Sequence, residues 1–163
     1  FRGEANRIYE ANAHIAPVLQ VSWNDAGRYC RWRSLREPGC RLLTEAEWEI
    51  FAGVNGLPSM NVVESHRPPA PYDASAYMND IVSALDDSLQ SASLSLVWEW
   101  VQDCYDAYPG GPAHGEFGDT YRVMRGGSLR SHALQRTCDF RFRRCPTARS
   151  SFYGFRCAFD TDI

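Results

Sequence analysis

The sequence predicts an α+β domain that combines two helices and a few regular strands with long ordered loops. Two capping boxes mark the helix starts, because Ser22 is followed by Asp25, and Thr44 by Glu47, at the required spacing. The runs of residues that are typical of strands are few and short in this chain. Residues 54–95 are rich in Pro, Ser, Asn and Asp, which favours loops. Few strands beside two well-marked helices favour the α+β class.

Each element has its own local signal. The first helix should end before the turn at 37–39, and the second should run through Trp48 to Gly53. One short helix is expected near 80–88 within the irregular stretch. The tryptophans at 98 and 100 make the third expected strand, 96–101, a buried one. In chain order, the expected strands are 17–21, 41–43, 96–101, 121–124 and 154–159.

Length and composition indicate one globular domain that spans residues 1–163. A chain of 163 residues with 44% hydrophobic and 13% aromatic content can bury a sizeable core. No apolar run approaches the length of a membrane span, so we expect no membrane partner. Phe1 is not a native start, and we expect further sequence upstream of it.

The positive charge is unevenly placed. The chain has no Lys, and more than half of its arginines lie from Arg122 onward, although the net charge is −3. A basic third could meet nucleic acid. These arginines alternate with Phe, Tyr and Ser, however, and the pI is near 5.8, so we expect no nucleic-acid partner.

The six cysteines give no metal-binding pattern. No CxxC pair or His/Cys cluster has the spacing of a zinc site, and the four histidines are scattered. We therefore expect neither a metal nor a cofactor.

Five ordered motifs resemble the formylglycine-generating-enzyme-like (sulfatase-modifying factor) domain, a variant of the C-type lectin fold. They are PVLQVSWNDAGRYCRW (17–32), RLLTEAEWE (41–49), VWEWVQD (97–103), RVMRGGS (122–128) and GFRCA (154–158). The resemblance implies two helices, small antiparallel sheets and long ordered loops. It also implies that the chain begins inside the domain.

Most motif residues also have a structural role that follows from their chemistry. Arg125 and Arg156 are expected in framework ion pairs, since Arg suits a hydrogen-bonded, partly buried position. Gly126 and Gly127 allow a turn that a Cβ would obstruct. Some family members carry a disulfide at the places of Cys30 and Cys157, and the sequence equally allows a reduced pair there. Cys40, Cys104, Cys138 and Cys145 have no assignable partner.

The chain lacks the copper-binding cysteines that an enzymatic interpretation requires. The family's enzymes bind copper through two cysteines shortly after RGGS, but here Ser131 takes the first place and one of residues 134–136 the second. Without a thiolate pair there is no soft copper site, so we expect no catalytic residues. Ser131 and His132 are adjacent in sequence, and no third member of a triad is evident. Ser95 and Leu96 replace the Gly-Asn of the family's calcium loop, so calcium loses a ligand.

A binding interpretation is better supported. The resemblance extends to the variable proteins of diversity-generating retroelements, in which template AAY codons become NNY codons between the RGGS region and the GFR motif. That stretch corresponds to residues 129–153, where Gln135 alone has no NNY codon. We therefore expect a variable ligand-binding surface made of Arg130, His132, Phe140, Phe142, Arg143, Arg144, Ser150, Ser151 and Phe152.

The composition of this surface favours a protein ligand. Exposed Phe beside Arg is costly unless a ligand covers it, and aromatic and Arg side chains dominate interface hot spots. Two positions depart from the variable-protein pattern: Leu129 replaces Trp, and Asp139 replaces Ala. A non-diversified binding or scaffold domain and a formylglycine-generating-type oxidoreductase remain the alternatives.

Overall fold

The structure is a computed structural model that describes residues 16–60, 77, 79–83 and 94–160. Within these residues, no helix combines the length and the apolarity that crossing a membrane requires. The elements that lie wholly within the described residues include two α-helices, six short strands and one 3₁₀ turn, which confirms the predicted α+β class.

Both helices begin at the predicted caps. Helix α1 (Trp23–Ser34) starts at Ser22, whose hydroxyl accepts from the Asp25 amide while the Asp25 carboxylate accepts from the Ser22 amide. Helix α2 (Glu45–Val54) repeats this arrangement between Thr44 and Glu47. Such reciprocal capping satisfies amides that would otherwise lack partners in the first turn.

The strands form two sheets. The smaller pairs β1 (Cys40–Leu42) antiparallel with β6 (Cys157–Phe159). The larger has the order β4-β3-β2-β5 and is built from β2 (Trp98–Tyr105), β3 (Gly118–Arg125), β4 (Phe142–Arg144) and β5 (Tyr153–Phe155). Strands β2, β3 and β4 are antiparallel neighbours. Strand β5 runs parallel to β2, unlike the all-antiparallel sheets expected from the sequence.

Other strand predictions need correction. Residues 17–21 are not a strand, because Gln20 has a φ of +58° that breaks an extended path. The strand expected at 154–159 is two strands in different sheets, and β4 was not predicted. Residues 79–83 of the helix expected at 80–88 are helical, and its remainder lies outside the described residues.

The core fills the space between the sheets and the helices. Trp48, Ala52, Val101 and Val123 are fully buried and form one cluster under α2. A second cluster lies around the two tryptophans of β2, Trp98 and Trp100, together with Met124 and Tyr153. The second cluster carries the aromatic residues of segment 129–153 and so positions the candidate site.

Candidate functional site

The segment 129–153 leaves the fold through a tightly packed glycine turn. Gly126 and Gly127 have φ values of +92° and +69°, which L side chains rarely adopt. A Cβ on Gly127 would lie 2.6 Å from the carbonyl oxygen of Gln135. The hydroxyl of Ser131 then accepts from the Ser128 amide at 2.9 Å and closes the turn. The start of the segment is thereby fixed by backbone packing.

A buried arginine anchors the same turn. The Arg125 side chain is fully buried, pairs with the Glu49 carboxylate and lies 3.7 Å from a carboxylate oxygen of Glu45. Glu45 also accepts two hydrogen bonds from Arg141, at 2.6 and 2.7 Å, through both of its oxygens. The bidentate geometry fixes the guanidinium as well as its charge. Arg125 thus ties the end of β3 to α2, and Arg141 ties segment 129–153 to the same helix just before β4.

The end of the segment has an equivalent anchor. Arg156 donates to both carboxylate oxygens of Glu99, which is 3% exposed. The indole N–H of Trp48 donates to the same carboxylate at 2.8 Å. The predicted framework ion pairs of Arg125 and Arg156 are therefore confirmed, and each supplies a partner to a buried acid.

An aromatic and arginine face lies between these anchors. The Phe142 ring stacks on Trp98 with centroids 4.6 Å apart, and Phe140 contacts the same indole at 6.0 Å. The Arg144 guanidinium lies 4.0 Å above the Phe142 ring and donates to the Tyr153 hydroxyl at 2.9 Å. Each ring is therefore supported from beneath by a buried aromatic residue, and the cation covers the outer ring.

Phe152 joins this face from the other edge of the sheet. Its ring packs against Tyr77, with centroids 4.8 Å apart, and also belongs to the cluster around Trp98. The Phe152 carbonyl accepts from the Trp98 amide at 2.8 Å, which fixes the backbone. The Ser150 carbonyl accepts a hydrogen bond from the Gln20 amide, and the neighbouring Ser151 is half-buried. The aromatic residues Phe140, Phe142 and Phe152 thus share one supporting cluster.

The polar members of the predicted surface are more scattered. Arg130 pairs with Asp80 at 3.2 Å, near the helical residues 79–83. His132 precedes the 3₁₀ turn Ala133–Gln135, and its amide donates to the Gln135 side chain at 3.0 Å.

Arg143 points away from the aromatic face. Successive side chains of a strand alternate in direction, and Arg143 pairs with Val123 whereas Phe142 pairs with Met124. The Arg143 guanidinium lies over Tyr105 at 5.1 Å and bonds to Glu116. The nine predicted residues therefore do not form a single surface, because Arg143 lies on the opposite side of β4 from Phe142 and Arg144.

The exposure of these nine residues corrects a second expectation. None of the nine is buried and Arg144 is exposed, which agrees with a surface position. Phe142 and Phe152, however, are half-buried through their contacts with Trp98 and Tyr77, and are not simply displayed. They therefore contribute to stability as well as to the surface.

The two positions at which the resemblance places the family's metals, at Ser131 and Ser95, make structural contacts. Ser131 caps the turn after RGGS, as described above. Ser95 has a φ of +61°, and its buried hydroxyl donates to the Gly126 carbonyl at 2.7 Å. The serine hydroxyl thus supports the glycine turn from below.

A groove of about 340 Å³ lies beside α2. It is lined by Glu45, Ala46, Glu49, Ile50, Tyr108 and Asp139. Burial, and then the neighbouring Glu45 carboxylate, raise the pKa of Tyr108 to about 12. Burial opposes ionisation of Asp139, but hydrogen bonds from Ser59 and the Met60 amide outweigh it and lower the pKa of that carboxyl. This lining is acidic and has no cysteine or histidine to hold a soft metal.

The cysteines contain an arrangement that the sequence did not reveal. The Sγ atoms of Cys30 and Cys157 lie 3.8 Å apart, and both residues are free thiols. Cys40, which had no assignable partner, has its sulfur within 4.8 Å of both. The spacing of cysteines in the sequence could not place Cys40 beside Cys157. The two residues come together only because β1 pairs with β6, which is more than a hundred residues away in the chain.

Comparisons with a family model and with curated proteins point to the same family. A model of the "Sulfatase-modifying factor enzyme 1-like domain" matches residues 2–91 and 96–161. The serine/threonine-protein kinase pkn1 of Chlamydia pneumoniae is 37% identical over 161 residues, which cover 87% of this chain and 24% of that protein. The formylglycine-generating enzyme of Mus musculus is 30% identical over 174 residues, which cover 88% and 44%. The inactive C-alpha-formylglycine-generating enzyme 2 of the same organism is 34% identical over 166 residues, which cover 87% and 48%.

Solved structures share the fold. PvdO from Pseudomonas aeruginosa superimposes with a TM-score of 0.62 at 23% identity, over 90% of this chain and 63% of that one. Treponema denticola variable protein 1 gives a TM-score of 0.54 at 20% identity, over 89% and 71%. These likenesses confirm the predicted C-type lectin fold of the formylglycine-generating-enzyme subtype. Against the curated relatives, the chain spans between a quarter and a half of their length.

Proposed function

Because the chain belongs to the family of sulfatase-modifying factor enzyme 1-like domains, we propose that it applies this fold to binding. In this proposal, the segment 129–153 forms a ligand-binding surface that a diversity-generating retroelement varies. One observation carries the proposal: all nine expected positions keep contact with solvent, although Arg143 faces the other side of β4, whereas residues 125–128 before the segment and residues 153–154 at its end are buried. Variation can then change the surface while the anchors keep the fold.

The chemistry of the surface favours a protein ligand with an acidic group next to an apolar patch. Among the residues that the structure describes, no carboxylate pairs with Arg144, whose partners are the Phe142 ring, the Tyr153 hydroxyl and the Arg143 carbonyl. Its charge is available to a ligand. The guanidinium is already ordered by these contacts, so binding loses less side-chain entropy. Arginine over an aromatic ring is also a common hot-spot arrangement.

Two relatives give this proposal context. The structural neighbour named variable protein 1 has the same fold, and one curated relative carries the name of an inactive enzyme. Both names are compatible with a family that includes binding proteins.

The codons of the gene provide the first test. If NNY diversification produced the surface, then Arg130, Arg143 and Arg144 should be encoded by CGT or CGC, although most arginine codons end in a purine. A near-copy of the 3′ end that differs only at adenines should lie beside a reverse transcriptase gene. Purine-ending codons at these three positions, with no such copy, would refute diversification.

Binding is tested separately. We would select binders to the purified chain from a randomised peptide library and measure them against Arg144→Gln. We expect most binders to lose affinity, with a bias towards acidic peptides. Arg33→Gln is the matched control, because Arg33 is a surface arginine in the last turn of α1 that pairs with Glu37 just beyond the helix. Equal effects of the two substitutions would refute the assignment of the surface.

The second candidate is an oxidoreductase of the formylglycine-generating type. It is favoured by the curated relatives with that name at 30% and 32% identity. We expect no conversion of cysteine to formylglycine in a sulfatase-derived peptide, because Ser131 stands in place of the first copper thiolate. Mass spectrometry of the peptide would detect the product, and turnover above a protein-free control would favour the enzyme.

A further inference from the structure

The three sulfurs of Cys30, Cys40 and Cys157 come together from three elements. They lie on α1, β1 and β6, and all three sulfurs are within 4.8 Å of one another. With metal–sulfur bonds of about 2.3 Å, as in zinc thiolate sites, neighbouring sulfurs stand about 4 Å apart. The separation of 3.8 Å between Cys30 and Cys157 matches this value. The sulfurs are therefore spaced for one shared ion.

We propose that Cys30, Cys40 and Cys157 form a buried three-thiolate site for Cu(I). This site is separate from the surface of segment 129–153 and does not depend on the proposed binding function. It revises the expectation from the sequence that the chain binds no metal, since that expectation rested on local spacing and on the family's copper and calcium positions, and found no partner for Cys40.

The surroundings favour Cu(I) over zinc. The cysteines pack with Ala26, Leu42, Trp23 and Phe155, which offer hydrocarbon and aromatic surface. The indole N–H of Trp23 is already used by the Val101 carbonyl at 2.8 Å. Structural zinc takes four ligands, but the cluster has three among the residues that the structure describes. Cu(I) prefers soft sulfur ligands and is therefore the better match.

Metal binding changes the protonation of the site. The thiolate is the form of cysteine that binds a metal, so every thiol that becomes a ligand releases its proton to solvent. Copper uptake should therefore release protons and weaken at low pH.

The test uses the whole chain, reduced and freed of reductant without oxygen, and titrated with Cu(I) in competition with a chromophoric chelator. We expect one equivalent to bind, with X-ray absorption showing three sulfurs at about 2.3 Å. Cys40→Ser should weaken binding at least about tenfold, since even the loss of a partner outside the ligand set costs ten- to a hundred-fold. Cys145→Ser is the control, because Cys145 is exposed and lies outside the cluster.

Several outcomes would overturn the proposal: no binding by the reduced chain, two sulfurs per copper with unchanged affinity in Cys40→Ser, or preferential binding of zinc. Formation of a Cys30–Cys157 disulfide in place of the copper complex would also overturn it. Because Cys40 is buried, Cys40→Ala and the near-ultraviolet circular dichroism of both metal-free variants check that the fold is retained. A melting temperature that Cu(I) raises in the parent chain but not in a folded Cys40 variant supports the site.

Discussion

Replacing Gly127 by Ala should destabilise the domain by about 3 kcal/mol. A non-glycine residue at a φ of +69° costs about 1–2 kcal/mol. The added Cβ would also lie 2.6 Å from the Gln135 carbonyl oxygen and 2.8 Å from Cγ of Arg136, and relief of such overlap costs about 1–3 kcal/mol. The two contributions act on the same turn, so the segment 129–153 would have to shift where it leaves β3.

Gly110→Ala is the matched control. Gly110 has a similar φ of +79°, but no heavy atom lies within 4 Å of its added Cβ. It should therefore lose only the backbone contribution of about 1–2 kcal/mol. Urea unfolding followed by tryptophan fluorescence gives both values from the midpoints, provided that the m-values are equal. If the two variants differ by less than about 0.5 kcal/mol, the packing argument for the turn is wrong.

Substitutions at three other positions test the remaining contacts. Phe142→Ser should cost about 2 kcal/mol in urea unfolding, since it removes a half-buried ring and its stack on Trp98, and an unchanged midpoint would indicate a purely displayed side chain. Ser95→Ala should cost about 1–3 kcal/mol, because it keeps the φ of +61° but loses the hydrogen bond to Gly126. Ser95→Gly relieves that backbone, so its thermal midpoint should fall less; the reverse order would contradict this. The pKa of Glu47 is lowered from 4.5 to about 2, so its stabilising effect is present above pH 4.5 and is lost as the pH falls towards 2. Glu47→Gln should flatten the acid limb of the stability curve, and an unchanged limb would refute this role.

Local signals in the sequence predicted the local structure well. The two helices begin directly after their caps, Ser22 and Thr44, because each capping box is complete within four residues. The buried strand around Trp98 was equally evident from its apolar run, although β2 extends further, to Tyr105. Helix starts and buried strands therefore needed no knowledge of distant neighbours.

Long-range pairing accounts for what the sequence could not predict. Strand β4 has three residues, Phe142–Arg144, with no alternation to mark it, and exists because β3 lies beside it. The direction of Arg143 follows only once that strand is known. The parallel pairing of β5 with β2 and the approach of Cys40 to Cys30 likewise depend on contacts between distant parts of the chain.

The strand order of the larger sheet has a consequence for how the domain folds. Its two inner strands, β2 and β3, are consecutive in sequence, whereas both outer strands come from residues after 141. Pairing the inner strands closes a short loop, and docking β5 against β2 closes a much longer one at greater entropic cost. The inner hairpin should therefore be formed in the transition state before segment 129–153 docks. Substitutions within the segment would then alter the rate of unfolding and leave the rate of folding nearly constant. Variants that differ only in this segment would fold equally fast and differ in the lifetime of the native state.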